Sequence, residues 1–316
     1  MADSTTKNKK KVAATNSNGS AKQSGRVGVL KTYKLYIGGA FPRTESGRCT
    51  KLKNAKGDVL ANVCRASRKD FRNAVSAAGK ALPGWSGRSA YNRSQILYRM
   101  AEMMEQRAPL LIDEMVQMGY STAKAKAEVE LCIDRTVHYA GWCDKYQQIF
   151  SSVNPVASAH FNFSLPEPTG VVTVVAGNDT ALLSLLSNLL PAIAGGNTCV
   201  LLASEKYPLS AITLAEVIND SDVPGGVVNL LTGQRDELFT HMAGHMGVHA
   251  LVADGISNAT TTELREQCTD NLKRFFRRQH DWTDPETQNP YLILDTQEIK
   301  TTWHPVEVID GKGSGY

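Results

Sequence analysis

Four short apolar runs at nearly even spacing constrain this chain more than any other feature. Val171 to Val175, Thr198 to Leu202, Val227 to Leu231 and Ala250 to Ala253 are largely β-branched or aliphatic and are bounded by Gly, Asn or Ser. An apolar run without alternation reads as a strand covered on both faces, as in a parallel sheet. Each gap between runs has room for one crossover helix. The spacing therefore predicts a doubly wound, Rossmann-like α/β unit, which binds ligands at the carboxyl ends of its strands.

N-terminal helices are expected ahead of this unit. Tyr33 to Phe41 alternates and turns at Gly38-Gly39, and Val59 to Arg65 reads as a short strand. Ser67-Arg68-Lys69-Asp70 has the form of a capping box, behind which Phe71, Ala74, Val75, Ala78 and Leu82 share a helical face that ends at Pro83-Gly84. Further helices are predicted over Ala90–Gln106, from Pro109 to Gly119, and over Ala123–Tyr146. Met100, Met103 and Met104 fall at core spacing. Ser151 to Leu165 contains an alternating run, His160 to Leu165, and suits a hairpin arm.

Downstream, a helix over Asp236–Met242 leads to the fourth strand, and Thr260-x-x-Glu263 is expected to cap the next helix. Residues 275–291 dissolve into charges, Pro and Asn, and read as a connector. The remainder, 292–316, carries a strand within Ile293–Trp303 and a Gly-rich end. The domain plan is thus a basic arm over 1–32, a main domain over 33–274 that includes the hairpin at 151–165, the connector, and a terminal strand.

Charge and cysteine usage narrow the function classes. The chain of 316 residues has a formal charge of +4, yet residues 1–32 hold seven Lys and Arg against Asp3 alone, leaving 28 basic against 30 acidic residues elsewhere. The folded part is slightly acidic, so no nucleic-acid role is expected. The longest apolar stretch, Ala181 to Ala194, is interrupted by Ser184, Ser187, Asn188 and Pro191 and is too short to span a bilayer, so no membrane association is expected. Six scattered cysteines without CxxC spacing, and no apolar leader, point to a reducing, cytoplasmic setting. His241, His245 and His249 recur at i, i+4, i+8, but Gly244 and Gly247 interrupt the helix. No metal site is expected from them.

Several segments, in order, resemble the aldehyde dehydrogenase superfamily. They are Tyr36-Ile37-Gly38-Gly39, Tyr139-Ala140-Gly141-Trp142, Glu167-Pro168-Thr169-Gly170-Val171-Val172, Leu190 to Thr198 (LPAIAGGNT) and Val223 to Gly233 (VPGGVVNLLTG). The resemblance runs from about Tyr33 to Arg274 and resumes at Glu298–Trp303. It implies a variant Rossmann domain for NAD or NADP, a separate domain bearing a cysteine nucleophile, and a β arm that joins subunits. Glu298–Trp303 resembles the final strand with which these enzymes extend a neighbouring subunit's sheet.

The family's reaction needs a thiolate, an amide for the oxyanion, a hydride acceptor and a carboxylate base. By resemblance, Asn178 stands at the oxyanion position, as a vestige among altered neighbours. Glu205, Gly233, Gly255 and Ser257 stand at cofactor-binding positions, while Leu202 and Ile256 replace a lysine and a phosphate-binding hydroxyl, and Asp254 adds negative charge. Cofactor binding is therefore expected to be weak or lost. No Glu-Leu-Gly-Gly or Gly-Gln-x-Cys segment follows Arg274, and Cys268 reads as an inert helix cysteine. Three readings stay open: a catalytically inactive structural or regulatory subunit, forming a homo-oligomer or a hetero-oligomer with a full-length aldehyde dehydrogenase; an NAD(P)-dependent oxidoreductase acting on an aldehyde; or a nucleotide-binding sensor.

Overall fold

The structure, a computed structural model, describes residues 29–306. Most of the expected basic arm and the Gly-rich end lie outside these residues. Residues 31–306 form one compact unit. It opens with β1 (Thr32–Tyr33), β2 (Cys49–Lys53) and β3 (Val59–Cys64), which form a small sheet in the order β1-β3-β2. β2 was not expected: four of its five residues are exposed, so it carries no buried alternation to betray it.

α1 (Arg68–Ser86) starts at the capping box, with Ser67 accepting from the Asp70 amide and Asp70 accepting from the Ser67 amide. It does not stop at Pro83. The last turn is held by Trp85, fully buried, whose Nε1 donates to the Ile193 carbonyl at 3.0 Å. α2 (Ala90–Gln117) is likewise one helix where two were expected, and it runs through Pro109. A proline inside a helix costs about 3 kcal/mol. Burial of Met100, Met103 and Met104 before it and of Leu111 and Met115 after it offsets that cost, the helix packing on α3 (Thr122–Trp142). A single turn, α4 (Tyr146–Phe150), precedes the arm, a hairpin of β4 (Ser152–Asn154) and β5 (His160–Pro168).

The predicted strands then follow: β6 (Val171–Val175), α5 (Leu183–Ala194), β7 (Thr198–Leu202), α6 (Leu209–Asp220), β8 (Val228–Leu231), α7 (Arg235–Gly244), β9 (Ala250–Asp254) and α8 (Asn258–Cys268). α8 is capped by Ser257, which accepts from the Thr260 amide, so the helix begins a turn before the expected Thr260 cap. The expected connector is corrected at its start, because β10 (Arg274–Arg278) pairs in parallel with β9 along its whole length. As an edge strand it is only half-buried. Its arginines reach outward to Glu298, Asn258 and Asp295, which is why the segment reads as polar.

The resulting parallel sheet has the order β10-β9-β6-β7-β8. Side chains alternate across it: Val172, Val174, Leu201 and Val252 join the core under α2, α3, α5 and α6, whereas Val171, Val175, Val200 and Leu251 join the core under α1, α7 and α8. Both faces are covered, as the unbroken apolar runs require. Chain order reverses between β6 and β9, which makes that gap the switch point of the sheet.

After α9 (Tyr291–Leu294) the chain ends its described part in β11 (Gln297–Pro305). β11 pairs antiparallel with β5 of its own chain, from Gln297↔Pro168 to Pro305↔His160, and so completes the arm as a three-stranded sheet. Asn197 fixes its start, donating to the Thr296 carbonyl at 2.9 Å while accepting from the Gly170 amide at 2.9 Å. No helix among the described residues is long and apolar enough to cross a membrane.

Candidate functional site

The switch point between β6 and β9 opens into a cavity of about 450 Å³. Gly177 follows β6, Asp179, Thr180 and Ser184 lead into α5, Asp254 and Gly255 end β9, and Gln279 to Trp282 close it from the connector. At its floor the buried Asp254 carboxylate accepts from Ser184 Oγ and from the Trp282 indole N–H, each at 2.5 Å. Ser184 Oγ in turn accepts from the Gly177 amide at 2.7 Å. Burial raises the Asp254 carboxyl above the ordinary range, and these two donors act against that shift.

A helix N-terminus at a strand end is a ready anion site when its amides are free. At α5 they are engaged: Glu128 Oε1, buried on α3, accepts from the amides of Ala181, Leu182 and Leu183 at 2.8, 2.7 and 3.1 Å. The connector over the cavity is equally well anchored. Arg135, also on α3 and 2% exposed, donates from Nη2 to the Trp282 carbonyl at 3.0 Å, bonds Ser187 through Nη1, and lies 5.8 Å from the Trp282 ring centroid. Tyr139 donates its hydroxyl to the Asn289 carbonyl at 3.1 Å. Trp282 itself is 3% exposed.

A second, smaller cavity of about 140 Å³ lies at the ends of β7 and β8. Ser204, Glu205, Pro208, Thr232, Gly233 and Gln234 form one wall, and Thr50, Leu52, Val63 and Cys64 of the small sheet form the other. Arg235, buried at the start of α7, stands between the two cavities. Its amide donates to Glu205 Oε1, and its guanidinium reaches the Ala176 carbonyl at the end of β6. Burial lowers its pKa, against the pull of nearby Glu205 and Asp254.

The residues singled out from sequence therefore do not converge. Gly255, at φ +62°, lines the first cavity, while Glu205 and Gly233 line the second. Asn178 lines neither: its Oδ1 accepts from Ser204 Oγ and the Glu205 amide at 3.0 and 3.1 Å, pinning the loop after β7. Ser257 is occupied as the α8 cap. Ile256 is buried in the core under α8. Cys268 packs in the same core, where burial pushes its thiol up. Trp282, Arg135, Glu128, Ser184 and Arg235 were not anticipated. The one available signal was a tryptophan set in an otherwise polar connector.

Several groups at the strand ends are thus already engaged: the α5 amides are capped, the Glu205 carboxylate accepts from a backbone amide, Arg235 bonds the Ala176 carbonyl, and the Trp282 indole bonds Asp254. The histidine series also separates. His249 accepts from the Val171 amide at 3.0 Å, whereas His241 and His245 face a different cavity. No cluster of three or more His, Cys, Asp or Glu suited to a metal occurs among the described residues.

The profile of the Aldehyde dehydrogenase family matches residues 41–278. The protein DhaS of Bacillus subtilis is 32% identical over 252 residues, covering 78% of this chain and 49% of its own length. An aldehyde dehydrogenase of Davidiella tassiana is 30% identical over 243 residues, covering 76% and 48%. The NAD+ complex of an aldehyde dehydrogenase from Bacillus cereus superposes with a TM-score of 0.74 at 26% identity, covering 78% of this chain and 50% of that one. The chain spans about half the length of these relatives. With the profile covering most of the chain, the chain belongs to the aldehyde dehydrogenase family.

Proposed function

We propose that the chain is an aldehyde-dehydrogenase-like protein without catalysis of its own, acting as a structural or regulatory subunit that assembles with itself or with a full-length aldehyde dehydrogenase. The reading rests on the switch-point cavity. Its buried Asp254 is bonded by Ser184 and Trp282, its mouth holds Trp282, and no cysteine lines it. Thiol attack on a carbonyl there lacks a nucleophile. A cytoplasmic setting is in keeping with the six free cysteines, five of them buried. The arm supports the assembly half of the proposal, because Val153, Phe161, Ile299 and Trp303 on its strands are exposed.

Two measurements test this. Aldehyde supplied with NAD or NADP is expected to give no reduced cofactor; turnover would overturn the non-catalytic reading. Size-exclusion chromatography with light scattering, on the chain alone and mixed with a full-length relative, is expected to show an oligomer in at least one case. A stable monomer in both removes the subunit role.

The alternative, an NAD(P)-dependent oxidoreductase acting on an aldehyde, is favoured by family membership and by the NAD+ complex of the Bacillus cereus neighbour. It requires saturable NAD or NADP binding by calorimetry, and a thiol from Cys268 or from a second chain. Weak or absent binding, together with unchanged behaviour of Cys268→Ala, is the outcome the leading proposal expects.

A further inference from the structure

The histidines that the strand-end site does not use meet a different set of partners. The capping box of α1 places Arg68 in its first turn and Arg72 one turn on, along the same face. α7 packs on α1 and brings His241 in its last turn and His245 just past its end, again four residues apart. The four surround a cavity of about 440 Å³, floored by Phe71 and rimmed by Thr240 and Met246. No carboxylate lines it.

The nearby acids are already engaged. Glu237 pairs with Arg48 and Arg65, Glu45 with Lys69, and Asp70 accepts from the Thr44 hydroxyl and the amides of Glu45 and Ser67. Among the described residues neither Arg68 nor Arg72 has a carboxylate within ion-pair distance. His245 accepts from the Gly247 amide through Nδ1 at 3.0 Å, which leaves Nε2 to carry the proton as a donor. Its ring is held edge-on to Phe71, with centroids 5.6 Å apart. Lys273 backs the site from the turn before β10, its ammonium bonded to the carbonyls of Ala243 and His245.

We propose that Arg68, Arg72, His241 and His245 form a binding site for a phosphate monoester, separate from the strand-end cavities. Two guanidinium groups and two imidazole donors, facing one space with no counter-charge, are complementary to a dianion with several acceptor oxygens. Burial first, then the surrounding Arg68, Arg72 and Lys273, holds His245 below its ordinary range, and burial and Arg68 do the same to His241. An anion in the cavity relieves that repulsion. The cavity has room for a small organic group against Thr240 and Met246. A long polyanion is disfavoured, since the chain beyond residue 32 carries 28 basic against 30 acidic residues.

The test is a titration of the full chain with inorganic phosphate and with phenyl phosphate, followed by calorimetry and by proton–nitrogen correlation spectra of the histidine rings. Saturable binding is expected, with the ring signals of His241 and His245 shifting and that of His249 staying in place. Arg68 and Arg72 are exposed, so the double variant Arg68→Ala, Arg72→Ala should fold and bind phenyl phosphate about tenfold or more weaker. His241→Gln should weaken it less. No saturable response, or an equal response from the double variant, overturns the proposal. So does binding of a single-stranded oligonucleotide through these arginines with no response to phenyl phosphate.

Discussion

The strand-end crevice and the arm sheet treat their exposed chemistry in opposite ways. In the crevice the buried polar groups are largely directed at one another: Ser184 and Trp282 at Asp254, Glu128 at three amides of α5, Arg135 at the connector, Arg235 at Glu205 and Ala176. In the arm, β11 runs nine residues along β5 and leaves its other edge unpaired among the described strands, with Trp303 57% and Val153 67% exposed. Polar groups already bonded to one another offer little to a ligand, whereas a long strand edge with apolar neighbours invites a further chain. The contrast is between a closed interior site and an open periphery.

Substituting the same residue type in each region breaks or sharpens this comparison. Trp282→Ala removes a buried indole and leaves Asp254 short of a donor, so a loss of about 3–5 kcal/mol is expected in urea unfolding. Trp303→Ala should change that measurement by no more than about 0.5 kcal/mol. Equal losses would mean that the connector is no better anchored than the arm. Next in size is Glu128→Ala, which strips one acceptor from three buried amides and should cost about 1–3 kcal/mol. Glu128→Gln, which keeps an oxygen in place, should cost less than half as much.

Asp254 gives a pH test of the closed site. Its folded carboxyl is raised above the unfolded value by burial, so the native state holds the proton more tightly. Stability therefore falls as pH rises from the ordinary carboxylate range through the raised folded pKa. Asp254→Asn keeps an acceptor for Ser184 and Trp282 without that ionisation. Relative to the parent chain it should gain stability above the window and lose the gain below pH of about 4. A variant less stable at every pH would mean that the charge itself holds the indole.

How far the sequence disclosed these regions follows from the kind of burial each uses. β6, β7, β8 and β9 were legible because burial on both faces demands unbroken apolar runs. β10 was not, since an edge strand can carry Arg274, Arg277 and Arg278 outward, nor was β2, which buries almost nothing. The continuity of α2 depends on packing either side of Pro109, which local rules cannot weigh. At the site, Gly233, Gly255 and Ser257 were reached through the family resemblance alone, and the cap of α8 was expected at Thr260 rather than at Ser257. Arg135 and Arg235 could not be placed, because an arginine reads as surface until the partners that bury it are known.

The smallest expected effect on stability carries the most about the periphery. On β5, Phe161, Phe163 and Leu165 point to one face, joined by Val153 of β4, opposite Phe163; Ile299 and Trp303 of β11 lie on the other. A lysine at position 153 is solvated where an exposed valine stood, so Val153→Lys should leave unfolding within about 0.5 kcal/mol of the parent. If a second chain covers this face, the same lysine is buried without a partner and the assembly weakens by about tenfold or more. Light scattering across a dilution series separates the cases. A shift to smaller species for Val153→Lys but not for Ile299→Lys assigns the interface to the face of Phe163. The reverse assigns it to the face of Trp303, and no shift in either variant leaves the free edge of β11 as the contact, which a proline at Thr301 would then abolish by removing a ladder donor.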